Sequence, residues 1–573
     1  MNSLAATAHA PDAAVLRRPW RAVLCLLMAL SLFAGLGLRA PAPPDEPRFV
    51  LAAKAMVDTG QWLIPHRGSE IYAEKPPVFM WLQAAAHTVV GSWDVAFLLP
   101  SLLAALLTLW MTYRIGRMLW TPRIGFYAAL AVFATLQFGL MAKRAQIDMV
   151  LVAMTTAAMW GLLKHLLAGP SRAALFWGAA AAGVGTVTKG VGFLPLLVLI
   201  PWAVLRLRNR VAPLPGGPWQ WLLVPAGVAT GLAVWLLPLG IAVLQPHGAE
   251  LDAYVREILF RQTATRYVGA WHHIQPAWYY LQVILTLWLP GCLLLPKLLP
   301  AWTRRLSRGD VRYALLLGWV VLTLVFFSAS PGKREVYIFP ALPLLCIAAA
   351  PLLPGLLRQR FARTVLIGFN LVLGIASLVL ATAILTHANW IEPKLIGRDL
   401  DAAAIQAIGG WAAALGAALL ALAAVLRARR PGLLAVLTMV CVWTAYGFGF
   451  MPALDNSASA KQVMHKVFAT IGPYGELGLV DFKEQNYLQA RGRATDFGYK
   501  QPWDVQWHRA RAWAADYPGR RWILVTDRAL GRCVDRTQAI TVGQANRNTW
   551  MLVPSAALIS PCEDKISWVE ADE

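Results

Sequence analysis

Long apolar segments recur along the chain up to about residue 453, and they limit its fold more than any other feature. A helix of about 20 apolar residues is long enough to cross a lipid bilayer. The chain contains about thirteen such segments, at 20–38, 93–113, 123–141, 146–167, 173–187, 190–207, 219–243, 276–300, 312–328, 336–353, 361–385, 406–427 and 431–453. The sequence therefore predicts an α-helical polytopic membrane protein, with a transmembrane domain over residues 1–453.

The composition of the chain agrees with insertion into a membrane. It is 58% hydrophobic and 14% charged, whereas soluble domains are about half apolar and about a quarter charged. In a soluble protein the formal net charge of +22 would suggest a nucleic-acid partner. Because much of the basic excess lies in loops between apolar segments, membrane topology explains it better. We expect contacts with membrane lipids and none with nucleic acid.

Basic residues mark one side of the membrane. They follow every second apolar segment, and short loops rich in Lys and Arg stay in the cytoplasm. The N-terminus is then cytoplasmic, and the long loops at 39–82 and 245–275 lie outside, as does the C-terminus. The residues that mark the cytoplasmic side include Arg114, Arg117, Lys164, Arg172, Arg206, Arg208, Lys297, Arg304, Arg358, Arg360, Arg427 and Arg429.

Residues 454–573 follow the last apolar segment and have the pattern of a soluble domain. LGLVDF, RRWILVTD and TWMLVP are short apolar runs typical of strands, and KQVMHKVFATI has the spacing of an amphipathic helix. We therefore predict a small α/β domain on the outer side. Its two cysteines, Cys533 and Cys562, are predicted to form a disulfide there. The other cysteines lie in apolar segments and are Cys25, Cys292, Cys346 and Cys441.

Several outer loops carry charged and polar residues that topology does not explain. They are Asp45, Glu46, Arg48, Glu74 and Lys75 in the first loop, Asp148, Lys189, Lys333, Arg334 and Tyr337 at segment boundaries, and Arg261, Arg266, His272 and His273 in the 245–275 loop. Contact with phospholipid headgroups or an ion pair explains any one of them. Taken together they favour a shared site for an anion. A basic pocket beside lipid suits a lipid-linked phosphate.

The chain lacks the short motifs of several common enzyme classes. No GxxxxGK[ST], GxSxG or GxGxxG is present, so ATP hydrolysis, serine hydrolysis and dinucleotide chemistry are unsupported, and no nucleotide cofactor is expected. Glu74, His272 and His273 offer oxygen and imidazole ligands for a divalent metal, with zinc as the candidate. An interfacial hydrogen-bonding pair explains the two histidines equally well.

Seven motifs together resemble one family of membrane enzymes. They are Asp45-Glu46-x-Arg48, GQWLIPH, YAEKPP, AKRAQIDM, TKG, HHIQPAWYY and SPGKREVYIFP. The chain resembles the GT-C membrane glycosyltransferases, and among them the bacterial aminoarabinose transferases that modify lipid A and are related to protein O-mannosyltransferases. The resemblance covers residues 20–350. One departure concerns a basic residue: the branch often has Arg where Lys143 or Arg144 stands, so the register there stays open.

The resemblance implies a GT-C fold and an inverting transfer of 4-amino-4-deoxy-L-arabinose from undecaprenyl phosphate to a lipid A phosphate. The reaction would take place at the periplasmic face of the bacterial inner membrane, with the C-terminal domain in the periplasm. It also supports in part the metal site at Glu74, His272 and His273. The implied catalytic acids are Asp45, Glu46 and Asp148, and the implied substrate-binding residues are Arg48, Lys75, Lys189, Arg261, Arg266, Lys333, Arg334 and Tyr337.

Two other functions remain open at this stage. One is a polyprenyl-phosphate-dependent glycosyltransferase that acts on a protein or on another envelope glycan. In that case Asp45 would be the general base for a hydroxyl acceptor. The other is a polyprenyl-lipid transporter, which would show inverted repeats and broken helices in matched positions; the sequence shows no such pairing. We expect a monomer.

Overall fold

The protein consists of a helical membrane part followed by a domain built on a β-sheet. The structure, a computed structural model, describes residues 18–261, 274–398, 400–490 and 494–559. The helices up to residue 458 are α1 (Arg18–Phe33), α2 (Glu46–Thr59), α3 (Val78–Val90), α4 (Trp93–Ala96), α5 (Leu99–Leu119), α6 (Pro122–Phe133), α7 (Leu136–Ala142), α8 (Ile147–Leu167), α9 (Arg172–Lys189), α10 (Leu199–Leu207), α11 (Leu223–Leu244), α12 (Ala249–Val255), α13 (Tyr279–Leu287), α14 (Leu295–Ser307), α15 (Val311–Ala329), α16 (Ala341–Ala349), α17 (Leu353–Leu356), α18 (Arg360–Leu385), α19 (Glu392–Ile396), α20 (Ala402–Leu426), α21 (Pro431–Ala445) and α22 (Met451–Ala458). Short 3-10 or π-helical turns lie at Leu194–Val198, Pro218–Leu222, Arg256–Arg261, Gly291–Leu294, Arg427–Arg429, Tyr446–Phe450, Asp527–Ala529 and Ser555–Ala557.

The polytopic helical architecture predicted from the sequence is confirmed, and the lengths of the helices refine it. Among the described residues, seven helices are long and apolar enough to cross a membrane, or up to nine if each of two bent pairs is one span. The pair α6 and α7 bends by 74°, and Tyr279–Leu287 and Gly291–Ser307 by 103°. The remaining four of the thirteen predicted segments also contain helix, in α1, α9, Leu194–Leu207 and α16. Apolar composition alone does not reveal where a helix breaks.

Glycine contacts bring α8, α9 and α11 close together. A Cβ atom added to Gly161 on α8 would lie 2.4 Å from Ala174 O and 2.6 Å from Gly178 Cα on α9. One added to Gly183 on α9 would lie 2.4 Å from Val228 O on α11. Small residues allow such backbone approach, which is a main source of helix association in membranes. The packing also brings the start of α8 to the end of α9.

The loop at 39–82, predicted to be the first outer loop, is largely ordered secondary structure. After α1 it forms α2, then an antiparallel pair of two-residue strands, β1 (His66–Arg67) and β2 (Glu70–Ile71), before α3 begins. The apolar face of α2 is buried, and Phe49 packs edge-on against Phe79 with ring centroids 5.4 Å apart. Gly60 ends α2 in the left-handed conformation (φ 75°), which glycine adopts without steric cost.

The C-terminal part is an α/β domain, as the sequence predicted. Its strands are β3 (Glu476–Leu479), β4 (Ala494–Asp496), β5 (Arg521–Thr526), β6 (Ile540–Ala545) and β7 (Asn548–Pro554), and its helices are α23 (Lys461–Ile471), α24 (Glu484–Leu488) and α25 (Trp503–Ala515). The sheet has the order β4-β3-β5-β7-β6, parallel at β4-β3-β5 and antiparallel at β5-β7-β6. Each face of the sheet carries its own apolar core.

The cysteines agree with the expected disulfide as far as the structure describes them. Cys533 is disulfide-bonded, and its predicted partner, Cys562, lies outside the described residues. The remaining cysteines are free and are Cys25, Cys292, Cys346 and Cys441.

The C-terminal domain contacts the first outer loop through the β1–β2 hairpin. Ser69 donates from its backbone N–H and its hydroxyl to the two oxygens of Asp496, over 2.9 and 2.6 Å. Glu70 accepts from the backbone N–H of Lys500 over 3.0 Å and from Gln501 Nε2 over 3.3 Å. The hairpin thus fixes the domain beside the loop that carries Asp45.

Candidate active site

Three motifs that are far apart in the sequence meet at the carboxylate of Asp45. Asp45 is the N-cap residue of α2, and its side chain is 14% exposed. Gln146, directly before α8, donates from Nε2 to Asp45 Oδ2 over 3.0 Å. Arg334 donates to the same oxygen over 3.3 Å. Asp45 and Arg334, which the sequence placed among the candidate site residues, are therefore in contact.

Arg48 joins Asp45 to a second acid, Glu74. Its guanidinium nitrogens lie 3.8 Å from Asp45 Oδ1 and 3.9 Å from Glu74 Oε2. It also donates to Pro44 O over 3.2 Å, one helical turn back. A guanidinium presents its donors in a planar fork that matches a phosphate. In this structure the guanidinium of Arg48 bridges the two acids.

Glu74 is surrounded by cations. Arg67 lies 3.3 Å from its Oε1, and Lys500 from the C-terminal domain lies 2.9 Å from the same oxygen. Burial raises the pKa of Glu74, but Arg67, Lys500 and Arg48 outweigh burial and lower the pKa to about 2. This carboxylate therefore stays ionised at any physiological pH.

The surroundings of Glu74 do not fit the predicted metal site. Three cationic side chains face its carboxylate, where a divalent ion would need anionic or neutral ligands. Within the part of the chain that the structure describes, no three His, Cys, Asp or Glu side chains are grouped to hold a metal ion. His272 and His273 lie outside the described residues. We therefore assign no step of the reaction to a metal.

A second acid–base pair lies where α8 begins and α9 ends. Asp148, in the first turn of α8, forms an ion pair with Lys189, the last residue of α9. The Lys189 ammonium lies 5.1 Å from the ring centroid of Tyr337. Burial lowers the pKa of Arg334, but Asp45, Glu335 and Asp148 outweigh burial and raise it. Asp45 and Asp148 therefore act on the same guanidinium.

Glu46 occupies a structural position, and its catalytic role stays a prediction. Its Oε1 accepts from Arg39 over 2.7 Å and from the backbone N–H of Ala145 over 2.9 Å. Its Oε2 accepts from Arg39 over 2.5 Å and from the N–H of Ala42 over 2.9 Å. With both oxygens engaged and the side chain 6% exposed, the carboxylate anchors two loops to each other.

The other predicted residues are placed less centrally. Lys333 is buried, and its ammonium donates to Gln275 O over 3.2 Å and to Pro331 O over 3.5 Å. Lys75 is half-buried beside Glu74. The backbone of Arg261 ends a π-helical turn, while its side chain lies outside the described part. Arg266, like the two histidines, is also outside it.

Models of two glycosyltransferase families match the chain. The model described as dolichyl-phosphate-mannose-protein mannosyltransferase matches residues 74–236, which include Glu74, Asp148 and Lys189. The model of the Alg9-like mannosyltransferase family matches residues 267–406, which include Arg334. The two matches therefore include several residues of the site, while Asp45 and Arg48 lie before the first matched range.

Two curated relatives identify a narrower family among these glycosyltransferases. The chain is 31% identical over 392 residues to undecaprenyl phosphate-alpha-4-amino-4-deoxy-L-arabinose arabinosyl transferase 1 from Pseudomonas fluorescens, over 66% of this chain and 67% of the relative. The chain belongs to the aminoarabinose transferase family. A relative from Pseudomonas aeruginosa with the same activity in its name is 31% identical over 385 residues, covering 65% of this chain and 66% of that protein. The matches thus span about two thirds of each relative.

The structure of one family member shares the fold over almost the whole chain. The crystal structure of ArnT from Cupriavidus metallidurans bound to undecaprenyl phosphate matches with a TM-score of 0.70 and 20% identity, over 96% of this chain and 100% of that chain. The predicted GT-C architecture is therefore confirmed, including the part beyond residue 350 that carries no sharp motif. As a member of this family, the protein is a lipid-linked glycosyltransferase in a multi-pass membrane fold.

Four residues of this site are not among those predicted from the sequence. Gln146 donates to Asp45, Arg39 binds Glu46, and Arg67 and Lys500 bind Glu74. Arg39 and Arg67 had a usable signal, because a basic residue on the outer side runs against the usual distribution of charge. Gln146 is neutral and Lys500 lies in a soluble domain, so neither stands out in the sequence.

Proposed function

We propose that the protein transfers 4-amino-4-deoxy-L-arabinose from undecaprenyl phosphate to a phosphate group of lipid A. Membership of the aminoarabinose transferase family supports the donor and the sugar. The observation that carries the proposal is the meeting of Arg334, Arg48 and Asp45 at one outer-loop position. Two guanidinium groups and one carboxylate thus lie together where a lipid-linked phosphate would enter.

Transfer with inversion needs charge stabilisation more than proton transfer. An oxygen of the acceptor phosphate attacks the anomeric carbon of the sugar from the face opposite undecaprenyl phosphate. The new C–O bond forms as the bond to the donor oxygen breaks, and undecaprenyl phosphate leaves with that electron pair. Arg48 and Arg334 lie 3.8 and 3.3 Å from Asp45, and they would neutralise the leaving phosphate.

Asp45 has a different task with each class of acceptor. A lipid A phosphate is already ionised, so Asp45 would orient the incoming groups and balance the charge of the two arginines. A hydroxyl acceptor would instead require a base to take its proton.

Lys189, paired with Asp148 and lying over Tyr337, provides a further cation for a phosphate.

The topology that fits this reaction places the site at the periplasmic face of the bacterial inner membrane. The basic loops between alternate segments support a cytoplasmic N-terminus. The C-terminal domain would then be periplasmic, where a disulfide at Cys533 is stable. The working unit in this proposal is a monomer.

Reconstitution with defined acceptors tests the proposal. Purified protein in vesicles is given undecaprenyl-phosphate-linked aminoarabinose and either intact or dephosphorylated lipid A, and the products are analysed by mass spectrometry. We expect transfer to intact lipid A and none to the dephosphorylated form. Equal transfer to both would rule out a phosphate acceptor. Transfer to neither, with transfer to a protein or to another envelope glycan, would leave only the donor part of the proposal.

A further inference from the structure

We propose that Gln146 is a positioning residue that sets the orientation of the Asp45 carboxylate for glycosyl transfer. Its Nε2 donates to Asp45 Oδ2 over 3.0 Å, and its side chain is 94% buried, with 6% exposed. Because Arg334 binds the same oxygen, both donors fix Oδ2. Oδ1 is then the oxygen that faces Arg48, at 3.8 Å. This inference rests on the proposed function of Asp45 in the transfer.

The backbone around Gln146 is anchored, so its side chain starts from a fixed point. Arg39 donates to Lys143 O over 3.0 Å, and Glu46 accepts from Ala145 N over 2.9 Å. The carbonyl of Gln146 itself accepts from Ser101 Oγ over 3.4 Å. The buried Arg39–Glu46 pair therefore supports Asp45 indirectly, through the loop that carries Gln146.

The amide oxygen of Gln146 also indicates that this residue acts in the site. Its Oε1 is buried and has no hydrogen-bond partner among the described residues. A buried, unsatisfied polar atom is unfavourable, and an apolar side chain of similar shape would avoid this loss. Turning the amide over would not help, because Oε1 would then face the Asp45 carboxylate. The hydrogen bond to Asp45 is therefore the contact that explains an amide at this position.

A matched control is present elsewhere in the chain. Gln83 is also fully buried, its Nε2 donates to Phe97 O over 3.0 Å, and its Oε1 has no partner among the described residues. Its acceptor is a backbone carbonyl and not an acid of the site. Gln83→Met and Gln146→Met therefore remove the same kind of bond, and only the second bond reaches Asp45.

The test compares the two variants with the wild-type protein in vesicles, with the donor and whichever acceptor the wild type uses. We expect Gln146→Met to lower kcat by about 10- to 100-fold, the scale seen when a reacting group is displaced by about 1 Å, with the donor KM within about threefold of wild type. Gln83→Met should keep kcat within about twofold. Thermal unfolding in detergent shows whether both variants are folded. If both lower kcat equally, or if Gln146→Met changes only KM, the proposal is wrong.

The variant Gln146→Glu keeps the shape of the side chain but places an acceptor oxygen where the amide donates to Asp45. In Gln146→Glu a second carboxylate faces Asp45 Oδ2, near Arg48, Arg334 and Tyr72, and two acids at that distance resist ionising together. The pH profile of kcat should then differ in shape from that of the wild type, whereas Gln146→Met should lower it uniformly. An unchanged profile would contradict the proposal. Absence of transfer by the wild type would contradict the proposed function instead.

Discussion

The two carboxylates on either side of Arg48, those of Asp45 and Glu74, differ in the groups that surround them. Glu74 faces Arg67 and Lys500 as well as Arg48, and the Arg67 guanidinium lies 3.7 Å above the ring of Tyr499. Asp45 faces the amide of Gln146 and Arg334 as well as Arg48. Glu74 is thus locked by charge on the side of the C-terminal domain, while Asp45 is oriented by groups of the membrane part. We infer that Glu74 holds the structure together and that Asp45 acts on the substrates.

The two environments are also built by different parts of the chain. The Asp45 side comes from the first loop, the start of α8 and the loop after α15. The Glu74 side includes two residues of the C-terminal domain, Glu484, which lies 3.3 Å from Arg67, and Lys500. The domain therefore acts on the site through one cationic cluster. Changes on the Asp45 side should alter catalysis, and changes on the Glu74 side should alter stability.

Replacing Asp45 should have the largest effect. Asp45→Asn keeps the shape but removes the charge, and it also places an amide against the amide of Gln146. We expect transfer to fall by about 1,000-fold, the upper end of the range for a lost electrostatic contact at the reacting groups. The measurement is transfer by reconstituted protein, with Asp58→Asn as the control, since Asp58 is an exposed residue paired with Lys54 on the same helix. Near-normal transfer by folded Asp45→Asn would overturn the comparison.

Replacing Arg334 should have the next largest effect. Arg334→Ala removes a donor to Asp45 and a cation for the leaving phosphate, so we expect transfer to fall by about 100-fold. Arg334→Lys keeps the charge but loses the planar fork and should recover only part of the activity. Donor binding measured in the same variants separates the two tasks. A full recovery in Arg334→Lys would show that charge alone matters at this position.

Replacing Glu74 should affect stability more than transfer. Glu74→Gln leaves Arg48, Arg67 and Lys500 without their shared anion, and we expect a loss of about 1–3 kcal/mol, since the carboxylate is only partly exposed. Transfer by folded protein should fall less than in Asp45→Asn. If transfer falls as far in Glu74→Gln as in Asp45→Asn, Glu74 acts in the reaction, and the predicted metal role regains support.

The lowered pKa of Glu74 predicts that the contact between the C-terminal domain and this carboxylate stabilises the fold in a pH-dependent way. The pKa of Glu74 falls from its ordinary value of 4.5 to about 2 in the folded protein. Its contribution is therefore complete above pH 4.5 and is lost as the pH falls towards 2. Thermal unfolding of the protein in detergent at a series of pH values measures this contribution. Glu74→Gln should show a weaker change over this range than the wild type.

Local patterns in the sequence predicted one side of the site better than the other. Apolar length located the membrane segments, and an acid directly after the first segment indicated Asp45. The partner of Asp45 could not be found in this way, because Gln146 lies 101 residues further along, and the packing of α8 decides which side chain reaches the acid. Glu46 stands next to Asp45 in the sequence, yet it points to Arg39. Adjacent residues at the start of a helix face different directions, and a sequence pattern does not show which one faces the substrate.

The smallest expected effect comes from Lys500, and it tests the role of the C-terminal domain most directly. Lys500 lies 2.9 Å from Glu74, but its side chain is 54% exposed. Ion pairs at such exposed positions contribute about 0–1 kcal/mol. Lys500→Ala should therefore lower stability by less than about 1 kcal/mol and transfer by about twofold or less, because Arg67 still holds Glu74 from a buried position. Arg67→Ala, which removes a side chain that is 2% exposed, should be clearly more harmful in the same unfolding and transfer measurements. If Lys500→Ala is the more harmful of the two, Lys500 binds a substrate phosphate, and the C-terminal domain belongs to the active site itself.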